Sequence, residues 1–215
     1  MKTLIYGTGN AAKLKYMQKT LEPLGVEIMG LNELNLLLPT IDESGNNPLE
    51  NARIKALTYY RAIKKQTGKH YPVFSCDSGL YLENAPEALQ PGVHVRNVGG
   101  KYLNDDEMIE YYTGLAKSLG GQAVARYKNA ICLVISESEI FEHMGDNISG
   151  NSFVITSIPH PKRIDGFPLD SLSIHIVSGK YYYDLDKDSS DVGIAKTGFR
   201  AFFRRVLNVE NSERY

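Results

Sequence analysis

The chain has 215 residues, 42% of them apolar and 23% charged, enough for one hydrophobic core and ordinary for a globular protein. A formal net charge of −1 offers no basic surface for nucleic acid or anionic lipid, although a small phosphate ligand needs only a few local cations. Cys76 and Cys132 belong to no CxxC pair, which argues against zinc, and no signal peptide or membrane span is evident, so we expect a single cytoplasmic domain over residues 1–215.

In chain order, residues 4–6 predict a short buried strand, and Gly7-Thr8-Gly9 a tight turn. Leu14, Met17 and Leu21 share one face of a helix over residues 10–21, stopped by Gly25. A second strand follows at 26–29, then a loop at 42–47. Asn47, Pro48 and Glu50 have the positions of an N-cap, a first helical residue and a capping-box acid, predicting a helix to about residue 66. Residues 73–76 read as a strand ending at Asp77-Ser78-Gly79. Asn104 caps another helix, whose first turn is acidic, Asp105-Asp106-Glu107. Strands at 123–136, 140–144 and 152–158 come in succession and predict an antiparallel portion, and residues 199–207 close the chain as an apolar and basic helix. Strands mixed with helices argue for an α/β or α+β architecture around one sheet system.

Thr8-Gly9-Asn10-Ala11-Ala12-Lys13 stands between a strand and a helix. N–H groups at a helix start form an anion site, and Lys13 adds a full charge. There is no Walker A ending, but Gly7-x-Gly9-x-x-Ala12 loosely matches a dinucleotide fingerprint. A dinucleotide-binding oxidoreductase would need an acid ending the second strand, for which Glu27 and Glu33 are the candidates. Asp42, Glu43 and Asp77 fall at the ends of elements, where one or two carboxylates suit Mg2+ on a triphosphate, or orient water. Each of these features also has a plain reading: a capped helix, a loop, a turn leaving a strand, and Lys55 as a solvated lysine. Phe167 could stack on a base and Asp170 could accept from a purine's Watson–Crick edge; the alternative is a Gly/Pro-rich turn with a core phenylalanine. The five histidines fit neither a metal motif nor a triad.

Together and in order, these pieces resemble the non-canonical purine nucleoside triphosphate pyrophosphatases, the inosine triphosphatase or Ham1-like family. The matching segments are 8–13, Glu43-Ser44-Gly45, Glu50-Asn51-Ala52-Arg53-Ile54-Lys55-Ala56, Asp77-Ser78-Gly79-Leu80, Ala85-Pro86, Pro91-Gly92, 166–170, Gly179-Lys180 and Phe199-Arg200-Ala201. The resemblance implies an elongated mixed-sheet α/β fold with two lobes around a central cleft, a homodimer, and Mg2+-dependent hydrolysis to monophosphate and pyrophosphate, Mn2+ being an alternative metal. It implies phosphate or substrate contacts from Thr8, Gly9, Asn10, Lys13, Lys55, Ser78, Gly79 and Lys180. Glu43 and Asp77 would hold the metal, Asp77 would activate water, and Phe167 and Asp170 would meet the base. The sequence departs from the family pattern at Cys76, which stands for the first of two acids, and at His94. Leu169 replaces an aromatic, Lys196-Thr197-Gly198 stands for Ser-His-Arg, and a lysine is missing near Val192. The phosphate half is retained and the base half is remodelled. A same-fold protein with altered base preference, or one that binds without turnover, is the alternative.

Overall fold

The structure, a computed structural model, describes residues 2–185 and 193–209. Its elements are β1 (Lys2–Tyr6), α1 (Ala11–Leu21), β2 (Val26–Gly30), α2 (Pro48–Thr67), β3 (Val73–Leu82), β4 (Asn97–Val98), β5 (Lys101–Tyr102) and α3 (Asp105–Ser118). After them come β6 (Gln122–Ser136), β7 (Glu139–Met144), β8 (Phe153–Thr156), β9 (Ser173–Ile174) and α4 (Gly193–Leu207). The chain forms two units: residues 1–78, 129–149 and 193 onward, and residues 79–128 and 150–192. The long strands β3 and β6 contribute to both.

In the first unit the strand order is β2-β1-β3-β6, with β7 paired to β6. The period-2 alternation of strands sorts side chains to two faces. On β1, Leu4 and Tyr6 join Met17 and Leu21 of α1 and Phe202 and Phe203 of α4, whereas Ile5 joins Ala52, Ala56, Tyr60 and Ile63 of α2. On β6, Ile131 and Leu133 share the first cluster, and Ala130, Cys132 and Val134 the second. Helices thus cover both faces, as parallel strands require. β1 pairs in parallel with β2 on one side and with β3 on the other. The chain therefore reverses its direction of travel across the sheet at the β1/β3 gap. In open α/β sheets, ligands bind at such a switch point, beyond the carboxyl ends of the strands.

The second unit has its own core, built from Leu80, Leu82, Met108, Tyr112, Phe153, Ile155 and Leu172 among others. Here β6 pairs antiparallel with β8, and β8 with β9, so the expected mixed sheet is present. Gln90 braces the loop after β3: its side chain accepts from Leu82 N–H at 2.8 Å and donates to the carbonyls of Leu82 and Ala85 at 2.7 and 3.0 Å.

Helix starts match their capping signals. Asn47 Oδ1 accepts from the N–H groups of Leu49 and Glu50, both at 3.0 Å, while Glu50 reaches back to Asn46 N–H at 2.8 Å, one residue before the cap. Asn47→Ala should therefore cost about 1 kcal/mol, read as a lower urea midpoint at unchanged slope. Asn104 and Glu107 form a reciprocal box, each accepting the other's N–H at 2.9 Å.

Three boundaries differ from expectation. β3 does not end at Asp77; it continues to Leu82, with Leu80 and Gly92 exchanging both backbone hydrogen bonds at 2.8 and 2.9 Å. β8 stops at Thr156, whose hydroxyl takes the Ile158 N–H at 3.3 Å and turns the chain out of the ladder. α4 begins at Gly193, not near Phe199, so Lys196, Thr197 and Gly198 are helical. The position near Val192 lies outside the described residues.

Candidate active site

At the end of β1, Gly7 N–H donates to Phe74 O of β3 at 2.7 Å, and Gly7 O accepts from the Ser75 hydroxyl at 3.0 Å. A Cβ at Gly7 would come within 2.7 Å of Tyr59 Cδ2, so only glycine permits this approach. Thr8 Oγ1 accepts from Asn10 N–H at 3.2 Å, and Asn10 Oδ1 accepts from Ala12 and Lys13 N–H at 2.9 and 3.0 Å. The expected anion site is thus also a capped helix, with Gly9, Asn10 and Lys13 exposed. The Asn10 carbonyl serves the cap, which leaves its amide NH2 to donate.

Lys55 is not the solvated lysine of the plain reading. Its side chain is 12% exposed, and its Nζ lies 2.8 Å from Asp77 Oδ1 and 3.0 Å from Glu43 Oε1. Burial pulls the ammonium down, but hydrogen bonds and charge from Asp77 and Glu43 outweigh it and hold Lys55 above its ordinary value. The Asp77 side chain is 10% exposed and that of Glu43 57%. Glu43, not Asp42, meets Lys55. The reason is Gly45: its N–H donates to Asn51 Oδ1 at 2.8 Å, and a Cβ there would meet the Asn51 N–H nitrogen at 2.9 Å. Asn51, 2% exposed on α2, draws the loop onto the helix one turn ahead of Lys55.

Cys76 lies within electrostatic reach of both groups. Burial pushes its thiol up to about 12; Tyr6 pulls the other way through a hydrogen bond, and so do Lys13 and Lys55 through their charge. One point on β3 therefore feels both lysines. Tyr59, four residues after Lys55 on α2, is raised by burial, lowered by Lys55 and raised by Glu43. Sequence reasoning overlooked both Asn51 and Tyr59, although the i, i+4 spacing to Lys55 makes Tyr59 legible.

Ser78 donates to Asn129 Oδ1 at 2.7 Å, and Asn129 in turn donates to Ile148 O at 2.8 Å, so this hydroxyl proton is engaged structurally. Among the described residues, no three of His, Cys, Asp and Glu gather as a metal-holding group. Of the two candidates for an acid ending the second strand, Glu33 accepts Gly30 N–H at 2.6 Å and Glu27 accepts from the Thr3 hydroxyl.

In the second unit, Gly79 admits the loop at Gly92, whose carbonyl oxygen a Cβ would approach to 3.0 Å. Phe167 is 55% exposed, which overturns the core-phenylalanine reading and leaves its ring face open. Asp170 lies in the 3-10 turn Pro168–Leu172, with burial raising its carboxyl above the usual range. Lys180 is exposed at a turn closed by His175 N–H on Lys180 O at 2.8 Å.

The Ham1 family profile matches residues 4–172. A dITP/XTP pyrophosphatase of Bacillus subtilis is 31% identical over 140 residues, which are 65% of this chain and 66% of that protein, just under two thirds of its length. A dITP/XTP pyrophosphatase of Brucella melitensis is 28% identical over 223 aligned positions, covering 96% of this chain and 94% of that one. Among solved structures, a HAM1 protein from Coxiella burnetii superposes with a TM-score of 0.71 at 24% identity, over 95% of this chain and all 100% of that one. A nucleoside-triphosphatase / dITP/XTP pyrophosphatase from Mycobacterium abscessus gives 0.62 at 22% identity, over 96% and 97%. The structural likenesses show the fold. No helix among the described residues is long and apolar enough to cross a membrane.

Proposed function

Since this chain belongs to the Ham1 family, we propose that it is a pyrophosphatase that hydrolyses non-canonical purine nucleoside triphosphates, such as ITP, dITP or XTP, to the monophosphate and pyrophosphate. The observation that carries the reading is the nearly buried Lys55 held between Asp77 and Glu43 at the β1/β3 switch point, with Lys13 acting on the same thiol. The names of its relatives support the substrate class. On the same family resemblance, we read residues 1–215 as one pyrophosphatase domain of a cytoplasmic homodimer.

In this reading Thr8, the Asn10 amide and Lys13 bind the phosphate oxygens, and Lys55 adds a second fixed charge. Water attacks phosphorus, one P–O bond forms, and the bond to the departing diphosphate breaks. Negative charge grows on the leaving oxygens, where lysines and helix N–H groups stabilise it. Asp77, which Lys55 holds in place, is the group that takes the proton of the attacking water. Glu43 and Asp77 fit a Mg2+ ion: each offers Lys55 one oxygen and has a second, and the ion prefers one or two carboxylates with water and phosphate oxygens. Such an ion would neutralise phosphate charge and lower the pKa of a bound water. Phe167, Asp170 and Lys180 are the nucleoside-side contacts.

A second reading, altered base preference, is favoured by one observation: Lys196, Thr197 and Gly198, which replace Ser-His-Arg, are wound into α4. Pyrophosphate release from a panel of NTPs and dNTPs, with and without Mg2+, separates the two. Metal-dependent release from ITP or XTP is expected. Release from another base would keep the chemistry and change the specificity. Folded protein that releases pyrophosphate from none would overturn both readings as enzymes.

A further inference from the structure

The two halves of the proposed phosphate grip stand on different elements. Thr8, Asn10 and Lys13 follow Gly7 at the end of β1, whereas Lys55 belongs to α2. Tyr59 of α2 is a neighbour of both. Its ring lies against Gly7: a Cβ on that glycine would meet Tyr59 Cδ2 at 2.7 Å and would also strike the Ser75 hydroxyl. Gly7 is therefore held on three sides, by Phe74 O at 2.7 Å, by the Ser75 hydroxyl at 3.0 Å and by the Tyr59 ring. Tyr59 comes four residues after Lys55, so the two side chains share one surface of α2. A helical side chain leans over the turn before its own Cα, which for Tyr59 is the turn of Lys55. The Tyr59 phenol accordingly feels the charge of both Lys55 and Glu43.

Packing gives the ring its place. Ala52 and Ala56 are fully buried, and such small residues let α2 lie close to β1 and β3, where they share a cluster with Ile5 and Val73. Tyr59 is half-buried at the margin of that cluster. A long, flat side chain at this margin spans from the helix to the loop end. Tyrosine has only two side-chain torsions, so a ring fixed by the cluster and by Gly7 leaves little play between them. Gly7 complements it, because the ring occupies the space that a Cβ would need.

We infer that Tyr59 is a positioning residue, whose ring against Gly7 fixes the loop of Thr8 to Lys13 in register with Lys55 and Asp77. The role deepens the proposed function and rests on it for the reaction. Tyr59 acts through the loop and touches no reacting atom. Charge grows on the leaving oxygens only as the P–O bond breaks, so a misplaced donor weakens the transition state more than the bound substrate. A displacement of about 1 Å is enough to cost on the order of 10²-fold.

Pyrophosphate release from ITP or XTP by Tyr59→Ala and Tyr59→Phe tests it, each variant being assayed below its own melting transition. Tyr59→Ala lowers kcat roughly 10- to 100-fold with little change in KM. Tyr59→Phe, which keeps the ring, restores kcat. Tyr59→Leu keeps an apolar side chain against the core without the reach of the ring, and takes the place of the alanine variant if that one does not fold. Hydrogen exchange at the amides of residues 7–13 reads the loop without any turnover: it is faster in the variants lacking the ring and parental in Tyr59→Phe. Unchanged kcat in a folded variant without the ring, or a phenylalanine variant as slow as alanine, overturns the inference. A parent chain that releases no pyrophosphate from any nucleotide sinks the proposed reaction instead. Exchange then decides alone, and loop amides that exchange alike in every variant overturn the role of Tyr59.

Discussion

Asp77→Asn should slow pyrophosphate release roughly 10²- to 10⁴-fold and leave the melting temperature nearly unchanged. The amide has almost the shape of the carboxylate and can still accept at the position 2.8 Å from Lys55 Nζ. What disappears is a charge and a base. Lys55 keeps its contact with Glu43 Oε1 at 3.0 Å, so the ammonium is not stranded. Because Glu43 is more than half exposed, that remaining pair is screened and contributes little by itself. Hence the variant separates chemistry from scaffold. Steady-state release from ITP and XTP, beside a thermal melt, gives both readings. Full activity in a folded variant would remove Asp77 from the proton transfer. Loss of cooperative unfolding would make its role structural.

The second large effect concerns Gly198. Helix propensity alone says that alanine should stabilise a mid-helix glycine by about 1 kcal/mol. Contact says the opposite. A Cβ at Gly198 would fall inside the Asn147 carbonyl group, 2.5 Å from its carbon, and 2.9 Å from Ile148 Cγ2. The obstacle is mainly backbone, in the turn Asp146–Ile148, and cannot rotate away. Overpacking of this kind costs typically 1–3 kcal/mol and sometimes more, so the contact wins. We expect Gly198→Ala to lose about 2 kcal/mol net, or roughly 4–8 °C in Tm for a chain of this size. A gain in Tm would show that α4 can lift from this turn. The same contact leaves no room for any larger side chain at 198, where α4 crosses Asn147.

The parts of the molecule written locally were legible. Asn47, Pro48 and Glu50 announce α2 because capping is a matter of three or four neighbouring residues. Leu14, Met17 and Leu21 do the same for α1. Lys13, Glu43 and Asp77 stood out as a helix-start cation and two carboxylates at element ends, Lys55 took its role from the family resemblance, and three of the four meet in one ion-paired group. What stayed hidden depends on distant partners. Asp77-Ser78-Gly79 has the look of a turn, yet Asn129, 51 residues beyond Ser78, and the ladder at Gly92 keep the strand running. The start of α4 was misplaced because the glycine at 198 reads as a helix breaker until its close neighbour is known.

The clasp between Gly45 and buried Asn51 bears on timing as well as geometry. A loop that hung free would have to be ordered anew by every incoming nucleotide, and each binding event would be weakened by that loss of freedom. Here the chain's own hydrogen bond from Gly45 N–H to Asn51 Oδ1 holds the loop on the helix. Glu43 is held beside Lys55 by the fold itself, so a ligand of the proposed kind would not have to order this loop.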